Sequence, residues 1–178
     1  MAHFGTGVEQ ALHFLLFLAR DEKKVRPSAR DAADYYRLSP GVAAKVFTRL
    51  EKARLVAAEE GREGGFRLAR PLSRITVLEV ADAIEGRKKL FQCREIRGRC
   101  AIFEKAAPAW ATTGLCAIHA AMNEAEETMR RKLAATTLQD IRDRAAQTIP
   151  QSYRAAGDAW LAERRAARRR RKTEETSA

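Results

Sequence analysis

"SPGVAAKVFTRLEKARLV", residues 39 to 56, predicts a capped amphipathic helix that runs into a strand. Ser39 has the side chain of a good N-cap, and Pro40 suits the first helical position because its missing N–H would be unpaired there anyway. Three apolar residues recur at helical spacing and form one stripe: Val42, Val46 and Leu50. This stretch therefore predicts a helix that packs on one side and faces outward on the other.

The segments before this helix predict two more helices. "RPSARDAADYYRL", residues 26 to 38, predicts a short helix entered at Pro27 and Ser28. Residues 5 to 20 predict a longer and more apolar helix. Because only a few residues join the last two of the three helices, the order is that of a helix-turn-helix.

A glycine-rich stretch follows at once, "LVAAEEGREGGFRLARP", residues 55 to 71. It predicts a strand over Leu55 to Ala58, a glycine-tipped turn and a second strand "FRLA", which together form a β-hairpin. "ITVLEVADAIEG" then predicts a further helix that ends at Gly86. We therefore expect residues 1–86 to form a winged helix-turn-helix DNA-binding domain in a mainly α fold with a small β-hairpin wing.

The rest of the chain divides into three parts. Residues 87–115 form a less regular, cysteine-bearing segment, and residues 116–147 a long helix and a following short one with possible caps at Thr136 and Thr137. Apolar residues at spacings of 3, 4, 3 and 4 predict a coiled-coil-like seam: Leu115, Ile118, Met122, Ala125 and Met129. Such a seam favours a homodimer, although packing within one chain would use the same pattern. Residues 148–178 predict a basic, amphipathic helical extension that ends in disorder.

The charge points to a polyanionic partner. The net charge is +11, and residues 163–178 contribute seven basic and three acidic side chains, so +7 remains on the rest. Double-stranded DNA is the simplest such partner, although some basic proteins bind none. The longest apolar run, Leu12 to Ala19, is too short to cross a bilayer, which needs about 20 residues, and no signal peptide is recognisable. We therefore expect a cytoplasmic location and no membrane partner.

The predicted recognition helix and wing supply the candidate DNA-binding residues. The second helix of a helix-turn-helix enters the major groove, and a wing contacts the backbone or the minor groove. Three acidic residues of the hairpin, Glu59, Glu60 and Glu63, oppose phosphate binding. A helix-turn-helix that contacts only protein remains an alternative. The candidates are Ser39, Gly41, Lys45, Thr48, Arg49, Arg62 and Arg67.

The three cysteines lie within residues 93–116. An odd number in a chain expected in the cytoplasm argues against a disulfide framework. Cys93, Cys100 and Cys116 lack zinc-finger spacing but could hold an iron-sulfur cluster, in which histidine sometimes replaces cysteine. His119 lies one helical turn beyond Cys116. Burial of the cysteines or a simple thiol sensor would use the same residues.

Two polar residues interrupt the apolar first helix. Glu9 and His13 are four residues apart and therefore share one helix face. In a segment expected to be core, a buried carboxylate must be paired or must coordinate an ion. If this helix lies near the cysteines, in the same chain or across a dimer, these side chains could complete a cluster site. Alternatively, they pair with each other or with an arginine.

Together these elements, from about residue 5 to residue 147, resemble the iron-sulfur winged-helix regulators of the IscR, NsrR and RsrR group. The resemblance rests on the recognition helix, the wing "GREGGFRLARP", the helix after it, the three-cysteine segment and "LCAIHAAM". It implies a dimeric bacterial transcription regulator, here expected to be a repressor, with a cluster at the dimer interface. The redox state or presence of the cluster then controls DNA binding.

The resemblance implies two sets of cluster ligands. In one, Cys93, Cys100, Cys116 and His119 form a site within one chain. In the other, Cys100 and Cys116 meet Glu9 and His13 of the partner subunit around a 2Fe-2S cluster, and Cys93 and His119 are in reserve. We favour the second set because it explains two polar residues of the first helix.

Two other functions use the same features. A cluster-free thiol-redox regulator of this fold would rely on the cysteines alone, and an iron-sulfur electron carrier would bind no specific duplex. No glycine-rich nucleotide loop and no Ser-His-Asp arrangement is recognisable, so we do not expect an enzyme. The arginine-rich end lies outside the resemblance, and we expect it to add salt-sensitive, non-specific DNA affinity or nothing.

Overall fold

The computed structural model describes residues 3–20, 26–59, 64–103 and 106–176. Within these residues, two strands pair antiparallel, β1 (Val56–Glu59) and β2 (Gly65–Leu68). The α-helices are α1 (Thr6–Leu18), α2 (Ala29–Tyr35), α3 (Pro40–Lys52), α4 (Val77–Glu85), α5 (Ala109–Thr112), α6 (Ala117–Ala134), α7 (Leu138–Thr148) and α8 (Gln151–Thr176). The prediction of a mainly helical fold with a hairpin wing is confirmed.

Local capping fixes the helix-turn-helix. Ser28 and Asp31 form a reciprocal capping box at the start of α2, and the Ser39 hydroxyl accepts a hydrogen bond of 3.3 Å from the Val42 N–H at the start of α3. The turn between these helices passes through Arg37, whose φ of 53° lies in the left-handed region. A glycine would adopt this conformation without strain, so the turn carries no glycine signal in the sequence.

The core lies where α1, α3 and β2 meet. Phe14 of α1 stacks on Phe47 of α3 with ring centroids 5.4 Å apart, and Phe47 stacks on Phe66 of β2 at 4.4 Å. All three rings thus form one column through the domain. Because these contacts join α1 directly to α3, the two helices are positioned as a unit.

The wing is anchored at its base. Strand pairing runs from Val56 opposite Leu68 to Glu59 opposite Gly65. The Phe66 N–H donates a hydrogen bond of 2.9 Å to the Pro27 carbonyl. At Gly65 a Cβ atom would overlap the Arg26 carbonyl oxygen and would also lie only 2.8 Å from the Pro27 carbonyl oxygen. The absence of a side chain at this glycine therefore lets the wing approach the chain that enters α2.

A short bridge joins the start of α4 to the start of α7. The Val77 N–H donates to the Thr136 carbonyl, and the Leu138 N–H donates to the Ile75 carbonyl, both at 2.9 Å. Further along, Arg130 of α6 pairs with Asp82 of α4 at 2.7 Å. The C-terminal end of the segment that contains the cysteines and α6 is thus held to the winged-helix domain.

The C-terminal extension is more regular than predicted. The helix continues as α8 to Thr176, and residues 177–178 lie outside the described residues. The disordered end stays a prediction. Alanine and arginine, which dominate this stretch, are good helix formers and account for its length. None of the described helices combines the length and apolar character needed to cross a bilayer.

Candidate DNA-binding face and cysteine segment

Helix α3 presents one face to the core and the other to the surroundings. Ala43, Val46, Phe47 and Leu50 are buried, whereas Val42, which the apolar stripe had included, is exposed. Four of the predicted DNA-binding residues lie on the outer face: Ser39, Gly41, Lys45 and Thr48. Lys45 makes no ion pair with any described residue, so its ammonium is free for a phosphate or a base edge.

Arg49 lies one turn beyond Lys45 but has a partner within the chain. Its guanidinium donates a hydrogen bond to the Ile84 carbonyl, near the C-terminal end of α4. A cation beside the carbonyl end of a helix is stabilising because it meets the negative end of the helix dipole. Arg49 therefore fixes α4 against α3, in addition to any contact with DNA.

The described part of the wing carries a compact ion-pair network. Glu59 accepts hydrogen bonds from Arg26 and from Arg67, the latter at 2.7 Å. Chiefly because of the hydrogen bond from Arg26, the pKa of the Glu59 carboxyl lies below its usual value. The charge of Arg67 is thus balanced by an acidic neighbour, as its sequence context suggested. Arg62, Glu60 and Glu63 lie outside the described residues.

Arg97 holds the cysteine segment together. Its guanidinium donates to the Glu95 carboxylate at 2.6 and 2.9 Å and to the Gly114 carbonyl at 3.0 Å. The hydrogen bond to Glu95 raises the pKa of Arg97, and Cys116 and Cys93 contribute to the same shift through their charges. One guanidinium therefore joins Glu95, two residues after Cys93, to Gly114, two residues before Cys116.

The three cysteines differ in exposure. Cys93 and Cys116 are half-buried, and the Cys93 sulfur accepts a hydrogen bond of 3.4 Å from the Glu95 N–H, whereas Cys100 is exposed. His119 lies beside Phe91, with ring centroids 6.0 Å apart. Across the described ranges no three Cys, His, Asp or Glu side chains are grouped as a metal site. The one-chain set of four ligands is thus not assembled in this chain.

Glu9 and His13 lie elsewhere than expected. Both are exposed, so the premise that they are polar residues buried in the core is wrong. The reason is that α1 buries a different face, formed by Val8, Ala11, Phe14, Leu15 and Leu18. Neither side chain forms an ion pair with the other or with an arginine among the described residues. The His13 ring instead lies 5.3 Å from the Tyr36 ring.

Glu9 and His13 border an apolar hollow. The cavity beside them measures about 530 Å³ and is lined also by Phe4, Leu12, Leu16 and Ile141. Large apolar side chains are exposed on the cysteine segment and α6 as well: Ile96, Ile102, Trp110, Leu115 and Ile118. Because Leu115 and Ile118 are 61% and 67% exposed, the seam of α6 does not pack within this chain at that end. Large exposed apolar patches mark protein interaction surfaces.

The arrangement defines a winged-helix DNA-binding protein: a capped three-helix core, an outward recognition helix and a hairpin anchored beside α2. The chain belongs to the Rrf2 family of iron-dependent transcriptional regulators, whose family model matches residues 4–144. It is therefore a transcription regulator and not an enzyme. The resemblance to the IscR and NsrR group is confirmed, and α8 lies beyond the matched region.

Individual proteins agree with this assignment. The chain is 30% identical over 133 residues to NsrR of Geobacillus kaustophilus, covering 75% of this chain and 84% of NsrR. Among solved structures, IscR of T. potens superposes with a TM-score of 0.62 at 19% identity, covering 85% of this chain and 95% of IscR. CymR, the global cysteine regulator of B. subtilis, superposes with a TM-score of 0.57 at 21% identity, covering 81% and 98%. The two structures confirm the fold.

Proposed function

We propose that this regulator is a homodimeric, DNA-binding repressor whose affinity for its operator depends on an iron-sulfur cluster shared between two subunits. The observation that carries the proposal is the exposure of the candidate ligands beside two apolar surfaces of the same chain. Glu9 and His13 border the hollow on α1, and Cys100 is exposed on a segment rich in exposed apolar side chains. A second copy would cover both surfaces and bring the two sets of ligands together.

The proposed ligand set is Cys100 and Cys116 of one subunit with Glu9 and His13 of the partner subunit. Two thiolates, one imidazole and one carboxylate are ligand types that bind iron, and histidine replaces cysteine in some 2Fe-2S centres. The described residues of one chain bring no such group together, and the proposed set takes its members from two chains. The iron-dependent description of the family and the NsrR relatives support the choice of cofactor.

Aromatic packing connects the proposed ligands on α1 to the recognition helix α3. Phe14, one residue after His13, stacks on Phe47 of the recognition helix at 5.4 Å. A shift of α1 therefore moves α3 with it. Two recognition helices of a dimer must enter major grooves about 34 Å apart, so a small change in their separation weakens both half-site contacts. The cluster, when bound, would supply a charge that changes on oxidation.

Complementation between two inactive variants tests the shared site. One variant carries Glu9→Ala with His13→Ala, and the other carries Cys100→Ala with Cys116→Ala. Each purified alone without oxygen should lack the visible absorption of a cluster and its iron and sulfide. Co-expression should restore about a quarter of the wild-type absorption, since random pairing makes about half of the dimers mixed and each mixed dimer retains one of two sites. His3→Ala is the matched histidine control and should leave the spectrum unchanged.

Two outcomes would refute the shared site. A coloured Glu9→Ala, His13→Ala protein that loses its colour only with His119→Ala would favour the one-chain set. A wild-type protein that stays colourless and iron-free after reconstitution would exclude the cluster altogether.

A cluster-free thiol-redox regulator is the second candidate. It is favoured by the exposed thiol of Cys100 and by the structural likeness to CymR. This candidate predicts a colourless protein that loses operator binding in peroxide and regains it with a thiol reductant. Replacing the three cysteines by serine should then abolish the peroxide response and leave binding intact.

A further inference from the structure

Helix α8 packs against α1 and α2 through specific contacts. Arg20, just after α1, donates hydrogen bonds to the Tyr35 hydroxyl and the Arg154 carbonyl, both at 2.8 Å, and pairs with Asp158 at 3.2 Å. Gly157 is buried, and a Cβ atom there would overlap the Arg20 guanidinium. One arginine thus joins three helices where α8 passes closest to α1.

Further along, α8 follows α2 towards its N-terminus. Trp160 packs edge-on against Tyr35 with ring centroids 5.3 Å apart, and Leu161 is buried. Beyond them, Arg164 and Arg168 pair with the buried Asp31 at 3.4 and 3.1 Å. These contacts hold α8 in one position along α2, so the space it encloses has a defined shape.

A cavity of about 570 Å³ remains between α1, α2, α7 and α8. Its volume lies within the range of small-molecule sites, about 300–1,000 Å³. Its walls are aromatic and aliphatic, with Phe17, Tyr35 and Tyr36 on one side, Ile141 and Ala145 on another and Tyr153 on α8. Flat side chains of this kind favour a flat, apolar ligand because they bury its faces.

The polar groups at the rim carry an excess of positive charge. Arg20, Arg142 and Arg154 line the cavity together with Asp143 and Asp158. Both aspartates already have partners, since Asp158 pairs with Arg20 and Asp143 accepts a hydrogen bond of 2.7 Å from Gln139. The Arg154 guanidinium has no hydrogen bond or ion pair among the described residues. One rim cation is therefore available to a ligand.

The phenol groups add neutral donors. Burial raises the pKa of Tyr36 far above its usual value, so this hydroxyl stays protonated at any physiological pH. It donates a hydrogen bond of 3.3 Å to the His13 carbonyl. Without a phenolate in its wall, the cavity does not repel a negatively charged ligand at this position.

We propose that this cavity binds a small aromatic monoanion, with its ring between the tyrosines and its acidic group at Arg154. Its α8 wall lies outside the matched family region of residues 4–144, so the site is a property of this chain's extension. His13 lies at the edge of the same cavity, and an occupant would contact the outer face of α1. His13, Leu16 and Ile141 also border the hollow on α1, but every wall of the cavity belongs to one polypeptide chain, so probe binding can be measured on cluster-free protein.

Calorimetric titration of the full chain with 2-naphthalenesulfonate and its neutral analogue 2-naphthalenemethanol tests the proposal. We expect one site per chain and an affinity for the sulfonate at least about fivefold higher, because only the sulfonate meets the rim cation. Arg154→Glu should weaken sulfonate binding by about tenfold or more and leave the alcohol within about twofold. Arg144→Glu, on an exposed residue of α7 that does not line the cavity, is the matched control.

Ala145→Phe provides a second, independent variant because its ring would occupy part of the cavity. It should weaken binding of both probes while circular dichroism and the oligomeric state in sedimentation stay as in the wild type. Three results would overturn the proposal: no saturable binding of either probe, equal sulfonate affinity of the Arg154→Glu and wild-type chains, or a probe-induced change from dimer to monomer. The last would assign the cavity to contact with a second copy.

Discussion

Replacing Asp31 by asparagine changes only one side-chain atom, but it should destabilise the protein strongly because the residue is buried. Asp31 is 2% exposed and is the buried charged residue of the described chain. Its carboxylate accepts hydrogen bonds of 2.8 Å from both the N–H and the hydroxyl of Ser28, and it pairs with Arg164 and Arg168. Asparagine keeps the shape and one acceptor oxygen, so the capping contacts survive in part and the ion pairs do not.

The expected magnitude follows from the environment of the two arginines. Removing one partner of a fully buried ion pair costs about 3–5 kcal/mol. Because the Arg164 and Arg168 side chains are 37% and 40% exposed, water screens part of the loss, and we expect about 2 kcal/mol. For a chain of this size each kcal/mol lowers the Tm by about 2–4 °C, so the Tm should fall by about 4–8 °C.

Asp158→Asn is the matched control for this measurement. Asp158 also pairs with an arginine of another element, at 3.2 Å, but its side chain is 54% exposed. Exposed pairs contribute about 0.2–1 kcal/mol, so thermal unfolding followed by circular dichroism should separate the two variants. The difference should persist at about 1 M salt because only exposed pairs are well screened. Equal Tm shifts for Asp31→Asn and Asp158→Asn would refute the reasoning.

Three further predictions concern the wing, the recognition helix and α4. Gly65→Ala should lower the free energy of unfolding in urea by about 1–3 kcal/mol, because its Cβ would meet the Pro27 carbonyl. Gly41→Ala has open space around it and should stabilise α3 by up to about 1 kcal/mol. Equal effects of the two variants on the free energy of unfolding would contradict this. Lys45→Ala should weaken operator binding and reduce the slope of log affinity against log salt by about 1 if the lysine contacts a phosphate, and an unchanged slope would exclude that contact. Burial raises the pKa of Glu79, but hydrogen bonds from Thr76 and Arg70 outweigh this effect, and the net pKa is lowered. The contribution of Glu79 to stability is therefore complete above the unfolded pKa and is lost as the pH falls through the folded pKa. Glu79→Gln should accordingly flatten the decline of Tm between about pH 6 and pH 3.

The winged-helix domain was predictable because its signals are local. Ser39 and Pro40 start α3 as the sequence indicates, and glycines mark the hairpin. The turn before α3 was less accessible, since Arg37 adopts the left-handed conformation that a glycine would normally indicate. The sequence places the three helices in order, but it gives no direct sign of the geometry between α2 and α3.

The residues of the candidate cluster site stay a prediction, and the environment of two of them differs from the one the sequence indicated. Glu9 and His13 lie among so many apolar residues that periodicity alone does not separate the buried face of α1 from the other. Leu12 and Leu16, half-buried beside them, belong to the outer side and made the whole helix resemble core. The ligand roles of Glu9, His13, Cys100 and Cys116 remain a proposal.

The docking of α8 depends on contacts that sequence reasoning does not reach. Arg164 and Asp31 are 133 residues apart, and Arg20 and Asp158 are 138 apart. No short-range pattern connects such pairs, and many surface arginines could have been the partners. The cavity under α8 is formed by this docking, so it could not be predicted from the sequence either.

The bridge between residues 76 and 137 fixes the point at which the chain returns to the winged-helix domain. The cysteine segment and α6 leave this domain after α4 and return to it at the bridge, where the Val77 N–H donates to the Thr136 carbonyl and the Leu138 N–H to the Ile75 carbonyl, both at 2.9 Å. Because these hydrogen bonds hold the start of α7 to the start of α4, we expect a displacement of the cysteine segment to turn α6 about this point. Arg130 of α6 pairs with Asp82 of α4 at 2.7 Å, close to the bridge. This ion pair limits the rotation of α6. Insertions or deletions within the cysteine segment would change how far it extends from the winged-helix domain, without a change in the helices that bind DNA.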